Sequence, residues 1–148
     1  MTTNRSMPPG VIIPELAYPE VHAAAEWLCR AFGFRERLRI GDHRIQLVHA
    51  GGSVVVTDGA PPRAAGAAGG ARAMPGHSVM VRVDDARTHF ERAQAAGAQI
   101  LTEPSDQPFG ERQYSVVDPG GHRWVFSQPI ADVDPRSWGG TPVDLLLE

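Results

Sequence analysis

Residues 111–128, ERQYSVVDPGGHRWVFSQ, decide the fold. Strand-forming runs flank DPGG at 118–121, where the aspartate can bond to the backbone, the proline fixes φ and the glycines tolerate a positive φ. This pattern predicts two antiparallel strands joined by a tight turn. Most of the hairpin is therefore predicted to be scaffold, and only the side chains on its inward face are candidates for function.

The elements around this hairpin are predicted to occur twice in the same order. The first set is a strand at 11–18, a helix at 19–34 and a hairpin around Gly51 and Gly52. The second set is a strand at 77–83, a helix at 84–98, a strand at 99–104 and the hairpin at 111–128. Each set alone is too small to hide one face of its sheet, so the two must pack together or against another chain.

Short sequence matches indicate an internal duplication. AFGF at 31–34 matches AAGA at 95–98, and HAGGSVVV at 49–56 matches DPGGHRWV at 118–125. Between the two sets lies GAPPRAAGAAGGARAMPG, which cannot bury enough surface to order itself and is predicted to be a flexible linker. The predicted organisation is a flexible tail at 1–10, a first module at 11–58, the linker at 59–76, a second module at 77–128 and a C-terminal tail at 129–148.

Composition excludes several classes of partner. The 148 residues carry a net charge of -3 without a basic stripe, which argues against nucleic-acid binding. No apolar run approaches the roughly 20 residues that a membrane helix needs, and the first residues lack the apolar stretch of a secretory signal. The single cysteine, Cys29, allows no intrachain disulfide and fits a reducing compartment. We therefore expect a cytoplasmic protein with no membrane partner.

Several segments together resemble one known superfamily. EWLCRAFGF, HSVMVRVDD, ERAQAAGA and DPGGHRWVFSQ are similar to the vicinal oxygen chelate superfamily, which is the glyoxalase, bleomycin resistance protein and extradiol dioxygenase group. PFGERQYSVVDPGGHRW and DPRSWGG further resemble its PhnB-like branch of uncharacterised glyoxalases. The resemblance spans about 11–128. It implies an α+β fold in which two βαβββ modules form a curved mixed sheet around a cavity, with helices on the outer face, usually in a dimer.

The resemblance also implies where a metal would bind. Enzymes of this superfamily hold a divalent metal with one side chain from the first strand and one from the last strand of each module. The corresponding positions here are Ile13, Val56, His77 and Val125. Three of them are aliphatic and supply no lone pair, so we predict that there is no metal site and no cofactor. A rearranged site built from Glu15, His43 and His77 is the less favoured alternative.

Alternation along the strands selects candidate ligand contacts. Pairing across the DPGG turn is predicted to place Tyr114 opposite Val125, on the cavity face. The predicted cavity face also includes Val79 and Val81, and in the first module Ile45, Leu47, Val54 and Val56. The predicted ligand-binding residues are Glu15, His43, His77, Arg112, Tyr114 and Arg123.

Each of these residue types can contact a ligand, but each can also have a purely structural role. An arginine can pair with a carboxylate or phosphate of a ligand, and a tyrosine can stack on an aromatic ring or donate a hydrogen bond. Arg123 can equally bridge to Glu111 or another acid, and His77 can be a structural histidine bonded to a neighbouring strand.

Two functions compete, and the family alone does not decide between them. The first is binding of a small amphipathic or aromatic molecule in a metal-free cavity. The second is a lyase, isomerase or dioxygenase reaction that uses a rearranged metal site, or His77 or Glu15 as a base. A non-catalytic partner domain is a third possibility that no feature of the sequence supports. A homodimer is expected, and the linker is long enough to permit exchange of modules between chains.

Overall fold

A computed structural model describes residues 2–59 and 76–142. Its helices and strands are β1 (Glu15–Ala17), α1 (Val21–Phe32), β2 (Arg35–Ile40), β3 (Arg44–His49), β4 (Gly52–Thr57), β5 (Val79–Arg82), α2 (Ala86–Ala95), β6 (Gln99–Asp106), β7 (Glu111–Val117), β8 (Arg123–Pro129) and a short 3-10 helix (Pro135–Trp138). Positions 60–75, most of the predicted linker, lie outside the described residues. No helix in the described ranges is long and apolar enough to cross a membrane.

The strands form two four-stranded mixed sheets. The first sheet has the order β1-β4-β3-β2 and the second has the order β5-β8-β7-β6. In each sheet the strand before the helix pairs in parallel with the last strand, and the other pairs are antiparallel. The prediction of an α+β fold built from two βαβββ modules is confirmed, with two separate sheets that do not close into a barrel.

The helices begin and end where local chemistry requires. In α1 the buried Val21, Ala25, Leu28 and Phe32 recur at helical spacing, so one stripe of the helix faces the core. Gly33 follows with a φ of 83°, the left-handed conformation that a glycine adopts without steric cost at a helix end. The side chain of Asp85 caps α2 by accepting a hydrogen bond from the Thr88 backbone N–H at 3.0 Å.

The two modules share one hydrophobic core. The Phe32 ring, at the end of α1, lies 5.3 Å from the Trp124 ring and 4.7 Å from the Phe126 ring, and both partners belong to β8 of the second module. The two helices also contact each other, and the Trp27 indole N–H donates to the Ala96 carbonyl at 3.0 Å. The expectation that the modules must cover each other is therefore met within a single chain.

Arg92 on α2 stabilises the end of α1. Its Nε donates to the Arg30 carbonyl at 2.8 Å and its Nη2 donates to the Cys29 carbonyl at 3.2 Å, so a cation pairs with the Arg30 carbonyl at the helix end and adds a second donor to the Cys29 carbonyl, which also accepts from the Gly33 N–H at 3.1 Å. We expect Arg92→Ala to lower the free energy of unfolding by about 1 kcal/mol in a urea titration. Arg136→Ala, at an exposed ion pair, is the control; equal losses in the two variants would contradict this role.

The strand register differs from the prediction by one residue. Tyr114 pairs with Phe126 and Val116 with Trp124, instead of Tyr114 with Val125. The reason is that His122 belongs to the turn, where its carbonyl accepts from the Asp118 N–H at 2.9 Å, so the first pair across the turn is Val117 with Arg123. Because a one-residue slip exchanges the two faces of a strand, the predicted placement of Tyr114 on the cavity face is wrong.

The predicted strand faces of the first module are also wrong, and the reason again lies in the length of the turn. Its β3–β4 turn holds only two residues, since His49 already pairs with Gly52, whereas the β7–β8 turn holds five. Val56 and Val125, the two metal positions expected on the last strands, each lie four residues beyond the second glycine of their turn, and they therefore lie on opposite faces of their sheets. Ile45, Leu47 and Val56, which were predicted to face the cavity, instead lie in the core. Val54 belongs to the core and also lines the cleft between the modules.

The corrected register defines the two faces of each sheet. Val55 pairs with Glu15, and Val125 pairs with Met80 at the equivalent place in the second sheet, so Val55 is the counterpart of Val125. We call the face that turns away from the core, and therefore away from the helices, the outer face of each sheet. On β5, Val79 and Val81 pack against the core, and both also line the cleft between the modules.

Candidate functional site

A cleft of about 1040 Å³ lies between the two modules. Its walls come from the end of α1, from β1, from the β3–β4 turn, from β5 with the residues on either side of it, and from the first turns of α2. A hydrogen bond between the His49 imidazole and the Arg82 carbonyl, at 3.2 Å, joins the two modules at this cleft. Its lining mixes apolar side chains, such as Phe34 and Met80, with polar ones, such as Ser78 and Thr88.

Two of the six predicted ligand-binding residues line this cleft, namely Glu15 and His77. The Glu15 carboxylate accepts a hydrogen bond from the Arg44 guanidinium, so its negative charge is balanced within the protein. His77 is exposed, and its ring centre lies 6.5 Å from that of His122.

The other four predicted residues lie elsewhere. His43 is exposed in the turn between β2 and β3, and Arg123 is exposed at the start of β8. Arg112 binds Asp106 through Nε at 2.6 Å and Nη2 at 3.2 Å, and it holds the pKa of that carboxyl below its usual range. Tyr114 is fully buried. Ligand contact by these residues stays a prediction, and the burial of Tyr114 counts against it.

Tyr114 instead pairs with a histidine that the sequence did not single out. The Nε2 of His89 donates to the Phe32 carbonyl at 2.9 Å, so its Nδ1 carries no proton and accepts from the Tyr114 hydroxyl at 2.6 Å. The His89 ring centre lies 4.1 Å from that of Phe126. Burial lowers the pKa of His89 to about 4 and raises the pKa of Tyr114, so both groups are neutral at pH 7.

A second buried polar cluster surrounds Asp118. One carboxylate oxygen accepts from the backbone N–H groups of Gly120 and His122, each at 3.0 Å. The other accepts from the Tyr18 hydroxyl at 2.5 Å and from the Trp124 indole at 3.0 Å. Burial and the neighbouring Asp118 raise the pKa of Tyr18. This cluster joins the modules, because Tyr18 belongs to the first and Asp118 to the second.

His122 belongs to the same junction. It is buried, and its Nε2 donates to the Ala17 carbonyl at 2.8 Å. Its Nδ1 has no hydrogen-bond partner among the described residues. Of this cluster, the sequence predicted only the hydrogen bond between Asp118 and the backbone of the DPGG turn. That prediction is confirmed.

The described residues do not fit the metal that the superfamily implies. Val125 and Val55 occupy equivalent positions on the outer faces, and Val56 lies in the core. Across 2–59 and 76–142, no three His, Cys, Asp or Glu side chains come close enough together to hold a metal ion. Neither the expected set nor the rearranged set of Glu15, His43 and His77 is assembled there.

Comparison with known proteins settles the family. The sequence model of the Glyoxalase/Bleomycin resistance protein/Dioxygenase superfamily matches residues 12–126, which include both modules. The chain belongs to this superfamily. The paired βαβββ modules of the structure agree with that assignment.

Individual proteins that match this chain show how far the likeness extends. An uncharacterised protein of Mycobacterium bovis is 30% identical over 128 residues, which cover 82% of this chain and 84% of that protein. The crystal structure of TioX from Micromonospora sp. ML1 is 38% identical, with a TM-score of 0.65 over 82% of this chain and 99% of TioX. TnmS3 from Streptomyces sp. CB03234, described as an antibiotic binding protein, is 23% identical, with a TM-score of 0.63 over 81% of this chain and 95% of TnmS3. At that identity TnmS3 shows a shared fold alone.

Proposed function

We propose that this protein binds a small amphipathic or aromatic molecule in the cleft between its modules, without the help of a metal. The observation that carries the proposal is the cleft itself, whose volume of about 1040 Å³ suits a drug-sized molecule. Its apolar wall offers contact area, and a few polar groups on its lining can orient the ligand.

Met80 and Arg82 are the side chains best placed to hold such a ligand. Both line the cleft and are exposed, and Met80 leaves 62% of its surface open, so both side chains are accessible to a bound molecule. A thioether packs well against aromatic rings, and a guanidinium pairs with carboxylates, sulfonates or phosphates. The two together favour an aromatic ligand that carries an acidic group.

The family supports this use of the fold. Its description includes bleomycin resistance proteins, and TnmS3, which shares the fold, is described as an antibiotic binding protein. Both observations indicate that proteins with this fold can bind small molecules, and neither identifies the ligand of this chain. The ligand of this chain has to be identified by binding measurements.

A fluorescence titration with 8-anilinonaphthalene-1-sulfonate tests the cleft. We expect saturable binding of one molecule per cleft, and we expect Met80→Asp to weaken it about tenfold, because the charged side chain removes apolar contact area. Leu101→Asp is the matched control, since Leu101 is also an exposed apolar residue but does not line the cleft. Equal losses in both variants, or binding that never saturates, would show that the dye does not use this cleft.

One observation keeps the enzyme alternative open. His77 lines the cleft and is exposed, so its imidazole can reach a bound molecule as a base, whereas Glu15 is held by Arg44. Elemental analysis of the purified protein and mass spectrometry of recovered ligand distinguish the two functions. Stoichiometric metal that disappears in His77→Ala, or a ligand recovered with a changed mass, would favour the enzyme.

We also propose that the protein acts in the cytoplasm as a homodimer. Its single cysteine, Cys29, suits a reducing compartment, and burial raises the pKa of that thiol. Exposed apolar side chains on the second module, Met80 and Leu101 among them, offer area for a second copy. Light scattering of the purified chain measures the oligomeric state directly.

A further inference from the structure

The segment before β1 lies against the outer face of the first sheet. A turn at 4–7, in which the Met7 N–H donates to the Asn4 carbonyl at 3.2 Å, directs the chain across this face. Gly10 then comes close to the β3–β4 turn, since a Cβ added to it would stand 3.6 Å from the Gly51 carbonyl oxygen. This stretch was predicted as a loose tail.

Three side chains on three neighbouring strands hold the segment. The Arg37 guanidinium on β2 donates to the Arg5 carbonyl at 2.9 Å. The Gln46 amide on β3 donates to the Ser6 carbonyl at 2.8 Å, and the Ser53 hydroxyl on β4 donates to the Pro9 carbonyl at 2.6 Å.

Two of the three donors also contact each other. The Arg37 guanidinium also donates to the Gln46 side-chain oxygen, and this contact orients the amide so that its N–H₂ points at the segment. Gln46 and Ser53 keep only 4% and 6% of their surface exposed, so their polar groups depend on the segment for hydrogen bonds.

The second sheet provides an internal comparison. Val55 of the first sheet is 2% exposed although it lies outside the hydrophobic core, whereas its counterpart Val125 is half-buried. Met80, the counterpart of Glu15, is open to solvent. The outer face of the first sheet is thus a filled site, and within 2–59 and 76–142 no segment fills the equivalent face of the second sheet in the same way.

The chemistry of the contacts indicates what this face recognises. All three hydrogen bonds run from a side-chain donor on the sheet to a main-chain carbonyl of the segment. They therefore recognise the backbone of a bound peptide and not the side chains of that peptide. The accepting carbonyls of Arg5 and Ser6 lie in the turn at 4–7, and the third belongs to Pro9. Pro8 and Pro9 lack an N–H, so they cannot pair with the sheet as a strand would. The occupant needs only carbonyls at the right spacing, and most of its own side chains remain exposed.

We propose that Arg37, Gln46 and Ser53 form a recognition site for a short, proline-containing peptide, and that residues 5–9 of the same chain are its resident occupant. A peptide ligand binds by displacing this segment, which three hydrogen bonds to the sheet hold in place. The inference does not depend on the proposed use of the cleft, although Ser53 contributes to both surfaces.

The test uses the full chain, labelled with ¹⁵N, and the acetylated peptide TTNRSMPPG as a probe. In the wild type the attached segment competes at a high effective concentration, so the free peptide binds weakly. Pro8→Gly with Pro9→Gly loosens the attached segment and leaves the sheet unchanged, so we expect the free peptide to bind this variant at least about tenfold more tightly. The shift of the Gln46 side-chain amide signal reports binding at this face.

Matched substitutions identify the site. Gln46→Ala in the loosened variant is expected to weaken the peptide about tenfold, and Gln113→Ala, at a glutamine of the second sheet, is expected to have no effect. Gln46→Ala in the wild type should also increase the mobility of residues 5–9, measured by ¹⁵N relaxation. Equal affinity in the loosened and wild-type chains, shifts that map to the second sheet, or an unchanged segment in Gln46→Ala would each overturn the proposal.

Discussion

Asp118→Ala is expected to lower the free energy of unfolding by about 4 kcal/mol, the largest loss of any substitution considered for this protein. The carboxylate is only 3% exposed and accepts four hydrogen bonds. Alanine would leave the Tyr18 hydroxyl, the Trp124 indole and two backbone N–H groups buried without a partner. Each unsatisfied buried group costs about 1–3 kcal/mol, and partial relaxation keeps the total below the sum.

Urea unfolding followed by tryptophan fluorescence measures this loss, since Trp124 is itself part of the cluster. Tyr18→Phe removes one of the four donors and should cost about 1–2 kcal/mol. Asp106→Ala removes a carboxylate from an exposed ion pair with Arg112 and should cost less than about 1 kcal/mol. If Asp118→Ala lowered the free energy of unfolding no more than Asp106→Ala does, the Asp118 cluster would not stabilise the junction between the modules.

The second large effect is a loss of stability in mild acid that originates at His89. Its pKa is about 4 in the folded protein and 6.5 for the unperturbed group, so the unfolded chain binds more protons between these values. The stabilisation is therefore complete above pH 6.5 and is lost as the pH falls from 6.5 to 4. We expect the free energy of unfolding to drop by about 2 kcal/mol between pH 7 and pH 5.

The choice of pH range separates this histidine from the carboxyl groups. The pKa values of Glu36, Asp85 and Asp106 are lowered from 4.5 or 3.8, so these groups begin to lose their contribution at lower pH. His89→Gln should make the stability nearly constant from pH 7 to pH 5, and His43→Gln, at an exposed turn, should keep the wild-type slope. An unchanged slope in His89→Gln would mean that another group binds the proton.

Local sequence signals predicted the elements of this fold but not the faces of its strands. Helical spacing in α1, glycines after the helices and the two glycine-rich turns carry enough information to identify two βαβββ modules. The orientation of Tyr114 depended on whether His122 belongs to the strand or to the turn. Local propensity does not decide such a difference of one residue, which is settled by whether Trp124 and Phe126 reach the shared core.

The candidate site was less predictable because its contacts are distant in sequence. Tyr18 meets Asp118 across 100 residues, and His89 meets Phe32 across 57. The sequence pointed to Glu15 and His77, which the structure brings to the cleft, but it also selected Arg112, which is occupied by Asp106. Which charged groups are already paired inside the protein is a property of the tertiary structure.

The shared core and the Tyr18–Asp118 contact have a kinetic consequence for any domain-swapped form. A swapped dimer can make the same junction between two chains, so the closed monomer and the swapped dimer differ little in the interactions they contain. Passing from one to the other requires the halves to come apart, which exposes Phe32, Trp124 and the Asp118 carboxylate together. The two forms would then exchange no faster than the chain unfolds, and the form made during folding would persist.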